Sequence, residues 1–105
     1  NKAFLQSIEA IELSIKLAYK KGLADGLRTR GFGYIRMSDL EKASECLIEA
    51  REIYESLNDL KGLATILEYF GIIERNKGNY SAALDYIFRG IANSEKTNFL
   101  ENKTF

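Results

Sequence analysis

The sequence predicts an all-α fold in which antiparallel helical hairpins repeat and stack as a short right-handed solenoid. Three observations carry this. The chain repeats itself at a spacing of forty residues, its apolar residues step by three and four within each copy, and it contains no proline, so no obligatory breaker interrupts long helices.

The repeat is read by sliding residues 21–60 onto 61–100. Lys21, Gly22, Leu23, Ala24, Leu27 and Gly31 then fall on Lys61, Gly62, Leu63, Ala64, Leu67 and Gly71. Ala43, Glu55, Asn58 and Leu60 fall on Ala83, Glu95, Asn98 and Leu100, which makes ten identities in forty gapless positions. Composition alone gives roughly two or three. Ala3, Ala10 and Leu17 stand forty residues before Ala43, Ala50 and Leu57. Residues 1–19 therefore read as the second helix of a preceding repeat, 21–59 and 61–99 as two full repeats, and 100–105 as the start of another. On this reading the chain is a single domain, 1–105, cut from a longer protein.

Each element has its own pattern. The leading helix (1–19) carries Phe4, Leu5, Ile8, Ile11, Ile15 and Leu17, too apolar a surface to stay solvated. It is expected to pack in the parent array or against a second copy, giving a homodimer. The next helix, about 22–37, carries Leu23, Leu27, Gly31, Tyr34 and Ile35. The third, about 39–57, places Leu40, Ala43, Leu47, Ala50, Tyr54 and Leu57 on one stripe, with glutamates on the other faces. The fourth copies the second over 61–77. The fifth, 80–97, carries Tyr80, Ala83, Leu84, Ile87, Phe88 and Ile91. Between them, Ser38 with Glu41 forms a capping-box pattern, Asn58 or Asp59 caps the fourth helix, and Gly78 with Asn79 closes one helix and opens the next.

Composition narrows the function. The 15 acidic and 15 basic residues cancel, which leaves no footprint for nucleic acid or for a polybasic membrane contact. No apolar run approaches the roughly 20 residues of a membrane span. With no histidine and one cysteine, Cys46, the chain offers neither a zinc set nor a Cys–His pair. No cofactor, metal or catalytic residue is predicted, and the expected setting is cytoplasmic.

The stretch GLADGLRTRGFGYIR, with Gly22, Gly26, Gly31 and Gly33, invites a phosphate-cradle reading. That motif needs a preceding strand and a following Gly-Lys-Ser/Thr, and neither is present. Only Gly22 and Gly31 recur in the second copy, so the recurrent glycines read as close-packing positions.

The series Leu27, Gly31, Tyr34, Ala43, Leu47, Ala50, and its copy Leu67, Gly71, Ala83, Ile87, Gly90, resembles the tetratricopeptide repeat family over nearly the whole chain. Its long period is similar to that of repeats in sensor or regulatory regions of bacterial signalling proteins and in some adaptor proteins. Glu74 stands where an aromatic is usual, Arg30 where Leu is, and Gly90 where Ala is; the period is forty rather than thirty-four, and the proline near the repeat end is missing. The resemblance implies a groove lined by the first helix of each repeat. Asp25, Arg28 and Phe32, then Thr65, Glu68 and Ile72, would point into it, with Arg36, Arg75 and Asn76 at its edge. Phe32 and Ile72 occupy the position where carboxylate-clamping members carry Asn, so a mixed apolar and charged protein or peptide partner is implied. The expected function is a non-catalytic, protein-binding scaffold segment. The alternatives are a ligand-sensing domain that controls an attached cyclase, kinase or DNA-binding module, and a structural dimerisation element.

Overall fold

The computed structural model describes the backbone of residues 2–102 and the side chains of residues 8–96. The fold is all-α. Four helices, α1 (Lys2–Arg36), α2 (Leu40–Ser56), α3 (Leu60–Asn76) and α4 (Tyr80–Asn102), follow one another through three-residue connections. Each packs on its neighbour in the chain, and α1 also touches α3. The side chains of Phe4 and Leu5, and residues 103–105, lie outside the described residues.

The three connections are one turn built three times. Ser38, Asn58 and Gly78 take positive φ angles of 62°, 53° and 88°. The next amide, on Asp39, Asp59 or Asn79, donates back to the carbonyl of Tyr34, Tyr54 or Glu74 at 2.9, 3.0 and 2.8 Å. This is the six-to-one bond of a Schellman motif, which satisfies carbonyls that a helix end leaves open. The same residue then opens the next helix. Asp39 accepts from the Lys42 amide at 3.2 Å and Asp59 from the Gly62 amide at 3.0 Å. The capping box expected at Ser38 and Glu41 is thus replaced: Ser38 holds the left-handed position and Asp39 is the cap. At Asn79 the side-chain amide donates to Glu74 instead, at 2.8 Å.

The same turn explains the largest departure from the expected map. Five helices were expected, with a break near residues 19–22; α1 runs through that point without interruption. Turn residues recur every twenty positions, as Asp39, Asp59 and Asn79, but position 19 is Tyr and position 99 is Phe. Neither has the short side-chain acceptor that reaches the first amides of a new helix, and Ala18, a strong helix former, stands where Asn58 takes positive φ. The helix therefore continues at both places, and α4 reaches Asn102.

The core lies where α1, α2 and α3 meet. Ala43, Leu47, Ala50 and Tyr54 of α2 are buried as their spacing predicts, against Ala24 and Ile35 of α1 and Ile66, Phe70 and Ile73 of α3. Small residues set the helix separation. A Cβ on Gly31 would stand 2.8 Å from a Leu47 methyl, and one on Gly71 would stand 3.1 Å from Ile87 and 3.3 Å from the Ala83 carbonyl. Gly62 meets the Tyr54 ring. Gly22, its counterpart, was expected to pack in the same way, but nothing lies within 4 Å of it. The helix that would cover it has been drawn out into α1.

The periphery is correspondingly bare. Every residue from Ile8 to Leu23 is exposed, including Ile11 (59%), Ile15 (66%) and Tyr19 (72%). Among the described side chains of α4, Ala83 and Gly90 alone are buried; Tyr80, Leu84, Phe88 and Ile91, expected on an inward stripe, face outward.

Candidate functional site

The residues expected to line a groove divide into two groups. Phe32 comes to α3, where its ring meets Tyr69 at 5.1 Å between centroids and 31° between planes, while the outer part of its side chain stays accessible. Arg28 lies one turn before it and half-buried, and Arg36 one turn after it and exposed. On α3, Ile72 packs half-buried against the core, and Glu68, Arg75 and Asn76 are exposed. Thr65 donates its hydroxyl to the Lys61 carbonyl at 3.2 Å, within its own helix. Tyr69 was not anticipated from the sequence. Its position opposite Thr29 of the first copy gave no aromatic signal to follow.

Asp25 is occupied by the fold. Its Oδ1 accepts the Tyr54 hydroxyl at 2.5 Å and lies 3.8 Å from an Arg28 nitrogen and 3.9 Å from Lys21 Nζ. Around it stands a polar junction that ties three helices together. Lys21 Nζ donates to Asp59 Oδ2 at 2.9 Å, while Asp59 Oδ1 caps α3 and the Lys21 ammonium lies 5.9 Å from the centre of the Tyr54 ring. The hydrogen bond to Asp59 pushes the Lys21 ammonium above its ordinary range. Burial pushes the Asp59 carboxyl up, but the Gly62 amide and Lys21 together outweigh it and hold that group below the usual value. Burial, then the bond to Asp25, drives the Tyr54 phenol well above an ordinary tyrosine.

Beside this junction, Leu17, Ala18, Lys21, Ser56, Leu57 and Asp59 enclose a cleft of about 500 Å³, open where α1 passes the α2–α3 turn. Its lining is mostly apolar, and its two charged groups are already bonded to each other.

Cys46 is half-buried in α2. Among the described residues no group of cysteines and carboxylates is placed to hold a metal ion, and no helix is long and apolar enough to cross a membrane. Comparison with protein-family models, with curated proteins and with solved structures finds no match to the chain.

Proposed function

We propose that the chain is a non-catalytic interaction segment of a larger signalling or regulatory protein, built of tetratricopeptide-type hairpins and presenting its α1–α3 surface to a protein or peptide. The observation that carries this reading is the Phe32–Tyr69 pair. Two aromatic rings from different helices meet where α1 and α3 touch, with the Phe32 ring partly exposed and Arg28 and Arg36 one turn to either side of it on α1. An aromatic centre flanked by two guanidinium groups suits a peptide that carries both an apolar anchor and a charged residue. The twenty-residue recurrence of one turn, together with the contact between α1 and α3, supports the repeat reading. Packing of both helices on a shared core keeps that surface preformed, so binding requires little rearrangement.

The test is capture from lysate by the immobilised chain, compared with a variant carrying Arg28→Ala, Phe32→Ala and Arg36→Ala. Asp25 is left intact because its loss would disturb Tyr54. A second variant, Glu45→Ala with Glu49→Ala on the exposed side of α2, serves as the control. The reading expects a discrete partner that the first variant loses and the second retains. Equal capture by both variants contradicts it.

A further inference from the structure

We infer that two copies of this chain exchange their α1 arms, pairing antiparallel about a two-fold axis beside Ala18. The inference concerns the bare side of α1 and stands independently of the α1–α3 surface proposed above.

One helix carries both halves of an interface that it cannot close on itself. Gly22, Gly26 and Gly33 have nothing within 4 Å of where a side chain would begin. Forty residues later the same positions are Gly62, Ile66 and Ile73, all buried, with Gly62 against Tyr54 of α2. The C-terminal half of α1 thus has the face that a preceding helix should cover. The arm has the spacing of that covering helix, since Ala10 and Leu17 repeat Ala50 and Leu57. The arm cannot reach that face within its own chain, because Ala18 and Tyr19 replace the Asn58 and Asp59 that make the turn.

A second copy satisfies both halves at once. Tyr54 against Gly62, moved back forty residues, becomes Ser14 of one copy against Gly22 of the other. The symmetry axis then falls midway, at Ala18. Ile11, Ser14, Ala18, Gly22 and Gly26 step by three and four along one side of α1, so the seam is continuous, and four of the five are small enough for close approach. With the axis at Ala18, roughly 30 Å of each helix overlaps, and such a strip from two copies buries on the order of 1,000 Å², the lower bound for a specific interface. Apolar side chains such as Ile11 and Ile15, more than half exposed in one chain, are what that area would cover.

Sedimentation equilibrium of the 105-residue chain should return twice its mass of 11.9 kDa. In a Cys46→Ser background, Ala18→Cys should cross-link to its own copy, whereas Ile11→Cys should not, because its two positions lie about 21 Å apart along an antiparallel seam. Restoring the turn with Ala18→Asn and Tyr19→Asp should let the arm fold back, converting the dimer to a monomer of unchanged helix content. A monomeric native chain overturns the inference, and so does a dimer in which Ile11→Cys self-links as readily as Ala18→Cys. The cross-linking comparison decides the matter even if the turn-restoring variant fails to fold.

Discussion

The Tyr54 ring fills the space that a side chain on Gly62 would need, and a Cβ there would collide with the ring. The ring cannot swing aside, because its hydroxyl is held by Asp25 on α1. Gly62→Ala should therefore destabilise the fold by about 1–2 kcal/mol, the overpacking cost exceeding the roughly 1 kcal/mol that Ala gains over Gly in a helix. Gly31→Ala should cost less, since its nearest neighbour is the movable tip of Leu47. Thermal melts of the two variants check the order; for a chain of this size each kcal/mol lowers Tm by about 4–8 °C.

Tyr54→Phe removes the same hydroxyl from its carboxylate. Because Asp25 stays partly open to water, the expected loss is near the lower end for a bond to a charged group, about 1–2 kcal/mol. The phenol also gives an alkaline signature. Its ionisation is raised in the folded chain by burial and by Asp25, so its contribution to stability is full below the ordinary tyrosine value of about 10 and is lost as pH rises beyond it. Denaturant melts at rising pH should show a steeper alkaline decline in the native chain than in Tyr54→Phe.

Asp59 provides the acid counterpart. Its carboxyl is held down by the Gly62 amide and Lys21 against the opposing effect of burial. The stability it supplies is present above the unfolded-chain value of about 3.9 and fades as pH falls through the lower folded value. Asp59→Asn keeps an equivalent cap but loses the charge, so its acid limb should be shallower while its neutral-pH cost stays below about 1 kcal/mol, since Lys21 is largely exposed. Asp59→Ala should cost about 1 kcal/mol more, through the lost cap. Melts taken from neutral into acid conditions separate the two effects.

The all-helical architecture was legible in the sequence because apolar spacing and glycine recurrence are local signals. The stripe through Ala43, Leu47, Ala50 and Tyr54 is buried as it reads, and Gly31 and Gly71 sit where helices touch. The break expected before Gly22 was misplaced because similarity at Ala10 and Leu17 reports a helix face, whereas a turn depends on two particular residues. Reading Ala18-Tyr19 against Asn58-Asp59 would have shown that the turn chemistry was missing. Phe32 could be placed from its offset, but Asp25 could not be recognised as structural, because its partner Tyr54 lies 29 residues away on the next helix. Tyr69 was hidden for the same reason: its meaning comes from a contact between helices.

The uninterrupted course of α1 through Leu17, Ala18 and Tyr19 is the claim from which the bare arm and the exchanged dimer both follow. It is tested most directly by the distance between spin labels at Glu12→Cys and Thr29→Cys in the Cys46→Ser background, with labelled chains diluted in unlabelled ones so that only separations within one chain are read. A continuous helix predicts about 26 Å along its axis. A hairpin that turns at residues 18–19 predicts less than about 15 Å, and a distribution centred there would contradict the account.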